Sequence, residues 1–145
     1  MKNYVLGFAF NDCHVLLIEK KRPKWQNGLY NGLGGHIEEG EQPVAAMVRE
    51  FEEECGIITN ESEWEQFAIM KGNDWMCYCF RSRNVFNLSE ATQTTDEKHK
   101  VINAYTLENY KTVSNIPALI GLAMDGHGPK LATFDYTVSI EKTNV

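Results

Sequence analysis

Residues 49–57 read REFEEECGI, and the reading of this stretch decides how the rest of the chain is understood. Gly56 is the usual left-handed stop one residue past a helix, and Glu50, Glu52, Glu53 and Glu54 crowd just ahead of it. A helix carries partial negative charge at its C-terminal end, so each carboxylate there is disfavoured by roughly 0.3–1 kcal/mol. Glu50 and Glu54, four residues apart, add repulsion of roughly a few tenths of a kcal/mol. No Lys or Arg follows Glu52 to offset them; the next residues are Glu, Glu, Cys and Gly. Either this is a solvated acidic face, as charge runs on helices usually are, or something cationic completes it.

Working outward, Pro43 suits the first turn of a helix, with Glu41 and Gln42 ahead of it, and the helix should run to Cys55. Steps of 100° place Val44, Val48, Phe51 and Cys55 on one stripe, the expected buried face. The same geometry gathers Glu50, Glu53 and Glu54 on the other side, within roughly one third of the circumference. Upstream, "WQNGLYNGLGGHIEEG" (25–40) is a glycine-rich ordered loop around one or two short strands, preceded by basic Lys20, Lys21, Arg22 and Lys24. Before that, "YVLGFAF" (4–10) and "HVLLIEK" (14–20) form a hairpin turned at Asn11-Asp12-Cys13.

Downstream, "EWEQFAIM" (63–70) and "DWMCYCF" (74–80) are strand candidates around a Lys71-Gly72-Asn73 turn. "VFNLSEATQTTDEKHK" (85–100) reads as a mobile polar loop, and "VINAYTL" (101–107) as a return to the sheet. Ser114 is placed to cap a last helix through "NIPALIGLAM", stopped by "GHGP", before a final strand "LATFDYTVSI" (131–140). Strands and helices interleave, so the fold class is mixed α/β or α+β, with helices covering a sheet.

At 145 residues the chain fits a single domain, 1–145, large enough to bury a core without staples. A formal net charge of −6 argues against a general nucleic-acid binder, which needs a basic surface. Cys13, Cys55, Cys77 and Cys79 are irregularly spaced and read as reduced thiols, with Cys77 and Cys79 on one face of a strand as core residues. "YVLGFAF" is too short for a signal-peptide core, and no run approaches the ~20 apolar residues of a membrane span. A cytoplasmic location is the expectation, as a monomer or homodimer.

A hard divalent cation would answer the charge problem of the acidic helix. Mg²⁺ or Mn²⁺ takes oxygen ligands and is commonly held by a few carboxylates together with substrate phosphates. A bound metal stabilises charge at a phosphoryl centre and lowers the pKa of a water. Calcium storage or a structural ion would satisfy the helix equally well, so charge alone leaves the activity open.

Gly35, five residues, Glu41, seven residues, then Arg49-Glu50-Phe51-Glu52-Glu53-Glu54-Cys55-Gly56-Ile57 resembles the Nudix box, G-x5-E-x7-R-E-U-x-E-E-x-G-U, at all nine defined positions over residues 35–57. With the hairpin before it and the "YNGLGG" loop, the chain resembles MutT-type Nudix hydrolases, including the oxidised-purine nucleoside triphosphate pyrophosphohydrolases. The resemblance implies a mixed β-sheet sandwiched between helices, with the box as loop, helix, loop. It implies hydrolysis, with Mg²⁺ or Mn²⁺, of a nucleoside diphosphate linked to another moiety, most simply a nucleoside triphosphate giving the monophosphate and pyrophosphate. ADP-ribose, dinucleotides, dinucleoside polyphosphates and capped RNA are alternative substrates. A non-catalytic nucleotide sensor is the alternative class, although such domains tend to lose box carboxylates that are all present here.

By the same resemblance Glu50, Glu53 and Glu54 are metal ligands, one of them also a base. The Gly34 carbonyl is a further ligand, and Arg49 with Glu41 braces the loop against the helix. Glu97 resembles a carboxylate outside the box used as another ligand or base; a solvated loop acid is the plain alternative. Asn31 resembles an asparagine that reads a purine edge, or is a turn residue beside glycines. Asn115 either faces the base or caps the last helix. Lys21 and its basic neighbours are candidates for phosphate contact, and Trp25 and Trp75 for stacking on a base, against a solvated turn and core or rim packing.

Overall fold

The computed structural model describes residues 1–83, 87–128 and 130–138. The hairpin forms as expected from β1 (Lys2–Asn11) and β2 (His14–Glu19), turned at Asp12, whose φ is 53°. The glycine-rich stretch gives a short 3₁₀ turn, Lys24–Gln26, and two short strands, β3 (Tyr30–Asn31) and β4 (Leu33–His36). Helix α1 covers Pro43–Cys55, with the proline in its first turn and Gly56 at φ 78° ending it. Next come β5 (Glu65–Lys71), β6 (Trp75–Arg83), β7 (His99–Asn103), α2 (Ile116–Met124) and β8 (Ala132–Asp135).

Among the described residues eight strands join one mixed sheet in the order β3-β2-β1-β6-β5-β8, with β4 also paired to β1 and β7 to β2. β1 is the spine. It runs parallel to β6 along its whole length on one edge, while its other edge takes β4 at Tyr4–Gly7 and β2 at Phe10–Asn11, both antiparallel. The period-2 alternation of β1 then feeds two cores. Val5 and Ala9 pack with Met47, Phe51 and Cys55 of α1; Leu6, Phe8 and Phe10 pack with Leu119, Ile120 and Ala123 of α2. The helices therefore cover opposite faces of the sheet. Cys77 and Cys79 share the α2 face, and all four cysteines are free thiols.

Several expectations are corrected. The fully buried residues of α1 are Ala46, Met47, Phe51 and Cys55, while Val44 and Val48 only flank that core. The stripe is turned because Phe51 seats edge-on against Trp64 (centroids 5.0 Å apart) and draws the helix toward it. The polar stretch read as a mobile loop is anchored. Beyond residues 84–86, which lie outside the described residues, Leu88 is buried, the Thr92 N–H donates to Cys55 O at 2.8 Å, and the Thr94 hydroxyl donates to Glu53 O. The return to the sheet begins at His99, two residues early, and "AYTLEN" (104–109) is 3₁₀ rather than strand. Asn115, not Ser114, holds the N-cap position of α2, and its side chain makes no capping bond. The final strand ends at Asp135; Ser139 and Ile140 of the expected strand lie outside the described residues.

Candidate active site

The acidic helix end is built against β4. A Cβ at Gly35 would lie 2.5 Å from the Glu50 carboxylate, which would have to swing away to admit it. On the next residue back, the Gly34 N–H donates to Glu54 Oε1 at 3.3 Å. Two acids of α1 are thus pressed onto two consecutive glycines. Among the described residues Glu54 Oε2 is buried with no hydrogen-bond partner, and a buried charged oxygen without a partner is costly. Burial pushes the Glu54 carboxyl up to about 8, against the pull of Lys20, and the nearby Glu50 and Glu97 charges add to it. Burial also raises the Glu50 carboxyl, opposed by Arg49. Glu53 is the solvent-facing member of the set, its side chain 58% exposed.

The charge that seemed uncompensated is partly met from upstream. Arg49 donates from Nε and Nη2 to the two oxygens of Glu41 at 2.8 and 2.9 Å. Its Nη1 reaches Glu50 at 3.0 Å and Glu53 at 3.3 Å, and Nη2 also reaches the His36 carbonyl at 2.9 Å. The bidentate pair holds Glu41 below the usual carboxylate range and raises the guanidinium further above its own. Arg49 therefore ties the end of β4, the loop after it and the acidic turn of α1 into one unit. The carbonyls left open at the helix end are met by the Gly56 N–H on Glu52 O and by Thr92 and Thr94. Among the described residues, no three His, Cys, Asp or Glu side chains stand ready to enclose a metal ion on their own. Arg49 engages Glu50 and Glu53, and Glu54 turns inward to Gly34.

Glu97 is a buried carboxylate rather than a solvated loop acid. It accepts from Lys20 Nζ at 3.2 Å, the Lys21 N–H at 2.6 Å and the Arg22 N–H at 3.5 Å. Burial alone would raise its carboxyl, but these donors together with the Lys20 charge hold it low. Beside it Asp96 pairs with the Arg22 guanidinium, two bonds at 3.1 and 2.5 Å. The basic stretch is thereby clamped to the loop that lies under the end of α1.

A cavity of about 890 Å³ opens along β4 and extends away from the acids. Gly34, Gly35, Lys20, Arg22 and Glu97 line its polar part. Met70, Trp75, Cys77, Asn115 and Tyr136 line an apolar part, and Trp25 and Asn31 also reach it. Lys21 is exposed and meets the site only through its backbone; Lys20 and Arg22 are the basic side chains on the cavity. Asn31 is committed at both ends, its Oδ1 accepting from the Gly32 N–H at 2.8 Å and its Nδ2 donating to Gln26 at 3.2 Å. Asn115 instead turns its amide nitrogen to Met70 Sδ (3.2 Å) and the Tyr136 hydroxyl (3.4 Å). Sequence reasoning missed Tyr136, Met70 and Cys77. The positions of Met70 in β5 and Cys77 in β6 signal only that they face one side of a sheet, and Tyr136 lies past the end of β8; nothing local tells that this side opens into a cavity.

A family profile for the NUDIX domain matches residues 2–118. Among curated proteins, an uncharacterized Nudix hydrolase of Bacillus subtilis, YvcI, is 27% identical over 139 residues, covering 90% of this chain and 84% of that protein. Among solved structures, one from a study of MutT from Aliivibrio salmonicida and Vibrio cholerae superposes with a TM-score of 0.70 at 24% identity, covering 84% of this chain and 96% of its own. The NUDIX domain of Shewanella oneidensis NrtR, solved with ADP ribose, gives 0.69 at 18% identity over 83% of this chain and 84% of its own. With the profile spanning most of its length, the chain belongs to the NUDIX family, as a hydrolase of pyrophosphate bonds in nucleoside diphosphate-linked substrates.

Proposed function

We propose that the protein is a divalent-metal-dependent nucleoside triphosphate pyrophosphohydrolase, releasing the nucleoside monophosphate and pyrophosphate. The observation that carries this reading is Glu54, a buried carboxylate with an unpartnered oxygen, fixed by the Gly34 N–H where a cavity with a cationic part and an aromatic part begins. Oxygen donors of this kind suit Mg²⁺ or Mn²⁺. Glu54, Glu50, Glu53 and the Gly34 carbonyl would hold the ion, with Glu97 close to the set, and Arg49 keeps Glu50 and Glu53 from drifting apart. When bound, such an ion would offset the charge of the acids and of the pyrophosphate and make a water easier to ionise.

The protein's own groups do the rest. Lys20 and Arg22 bring positive charge to phosphate oxygens at the cavity, and their clamp to Glu97 and Asp96 holds them in place. The attacking water forms a new bond to one phosphorus of the pyrophosphate link as that phosphorus loses its bond to the bridging oxygen, the bridging oxygen leaves with the other product, and a carboxylate of the Glu50, Glu53, Glu54 set takes the water's proton. The apolar part of the cavity, with Trp75 and Tyr136, receives the base. Asn115 faces that base, and Asn31, at the end of β3 on the cavity, keeps one amide N–H and one lone pair beyond its bonds to Gln26 and Gly32.

The test is hydrolysis of a panel of nucleoside triphosphates, oxidised purine triphosphates, ADP-ribose, NADH and dinucleoside polyphosphates with Mg²⁺ or Mn²⁺, read by separating the nucleotide products, since only the triphosphates release pyrophosphate. Triphosphates should turn over, and Glu53→Gln and Glu54→Gln should each lower the rate by about 10²-fold or more. No turnover of any substrate, or variants equal to wild type, would overturn the reading. ADP-ribose is the second reading, favoured by the similarity to the domain solved with that ligand; preferential ADP-ribose turnover would select it.

A further inference from the structure

The wall of the cavity farthest along the chain comes from residues beyond the family match. β8 runs parallel to β5, and just past it the Tyr136 N–H donates to Lys71 O at 2.7 Å. Two residues later the Asn73 side chain grips the Val138 backbone at both groups, donating to its carbonyl at 3.0 Å and accepting from its N–H at 2.8 Å. Tyr136 is thus held on both sides by the β5–β6 hairpin. Its ring leans on Trp75, centroids 5.8 Å apart and planes 32° apart, and both rings line the cavity.

The Tyr136 hydroxyl meets Asn115 Nδ2 at 3.4 Å, and the same nitrogen lies 3.2 Å from Met70 Sδ. A thioether sulfur can accept a hydrogen bond but not donate one, so the amide nitrogen rather than the oxygen belongs on this side. Among the described residues no donor serves Asn115 Oδ1, and Asn115 lines the cavity.

We propose that Tyr136, delivered by the clamped segment 132–138, is a specificity-determining positioning residue: it fixes the Asn115 amide so that Oδ1 accepts an N–H from the edge of the substrate's base, while the Trp75–Tyr136 pair supplies the ring surface the base packs on. The ligand class is a nucleotide whose base carries an N–H donor. The inference rests on the nucleotide reading above and deepens it at one residue. A purine with neither an exocyclic amine nor a ring N–H on that edge would keep the stacking and lose the acceptor contact.

The test is calorimetric binding of GMP, AMP and purine riboside 5′-monophosphate, which needs no turnover, to wild type, Tyr136→Phe and Asn73→Ala. Wild type should bind GMP or AMP more tightly than the purine riboside. Tyr136→Phe keeps the ring and should cut that preference roughly three- to tenfold, the worth of one neutral hydrogen bond, with purine riboside affinity and melting temperature unchanged. In turnover the change should fall on KM rather than kcat. Asn73→Ala, which releases the tail, should weaken all three ligands. The inference is overturned if no ligand binds, if Tyr136→Phe keeps the wild-type preference or weakens all three equally, or if Asn73→Ala changes nothing. Turnover of triphosphates with unaltered Tyr136→Phe binding would sink this inference alone; base-selective binding without any turnover would sink the pyrophosphohydrolase reading alone.

Discussion

Glu54 and Arg49 are the residues on which the proposed site turns. The Glu54 carboxyl is pushed up to about 8 in the fold from an ordinary value of 4.5, so between those values the folded protein holds a proton that the unfolded chain has released. Stability contributed by this group in the metal-free protein is therefore fully present below about 4.5 and is lost as pH rises through about 8. Melting temperatures of metal-free wild type should fall over that window relative to Glu54→Gln, which cannot titrate there; parallel curves would contradict the burial argument. Arg49 makes a different prediction. Lysine keeps the charge but cannot reproduce a fork that serves Glu41, Glu50, Glu53 and the His36 carbonyl together. Arg49→Lys should weaken Mg²⁺ or Mn²⁺ affinity by about 10–100-fold, read by calorimetric titration. Both residues were legible as site candidates from the spacing of the box. That Glu54 faces inward while Glu53 faces water was not, because helical periodicity places both on one side and only the contact with β4 separates them.

At the scale of elements, helix α1 shows where local sequence is decisive and where tertiary packing takes over. Its two ends follow from Pro43 and Gly56, residues whose backbone preferences act locally. Its buried face does not, since Trp64, thirteen residues past Phe51, selects among the apolar positions. Gly56 sits at φ 78°, a conformation that a Cβ disfavours, with the Thr92 hydroxyl 2.8 Å from where that carbon would be. Gly56→Ala should cost about 1–2 kcal/mol in denaturant unfolding, and it should also slacken the loop that carries Glu97. A loss below a few tenths of a kcal/mol, roughly the noise of such a measurement, would mean the cap is not needed. That loop looked mobile because polar residues without periodicity carry no packing signal; its order comes from unsatisfied carbonyls at a helix end, which composition cannot reveal.

For the whole molecule, the hairpin β1–β2 and the interleaving of helices and strands were readable, and they are enough for an α/β or α+β fold with helices covering a sheet; the mixed sheet between helices followed only from the resemblance to the Nudix family. The parallel pairings of β1 with β6 and β5 with β8 were not, since they join segments far apart in the chain with no turn to announce them. Those pairings assemble the cavity. β4 presents Gly34 and Gly35 at one part, against the acids of α1; β5, β6 and the residue just past β8 present Met70, Trp75 and Tyr136 at the other. Among the described residues no helix is long and apolar enough to cross a membrane.

In the proposed reaction this arrangement splits a pyrophosphate bond between a nucleoside monophosphate and the rest of a triphosphate. Phosphorus NMR of a nucleoside triphosphate incubated with the protein and Mg²⁺ or Mn²⁺ tests it most directly. Monophosphate and pyrophosphate signals should grow in equal amounts, about 10²-fold or more slowly with Glu54→Gln. A spectrum that does not change, or one that shows diphosphate and orthophosphate instead, would contradict it.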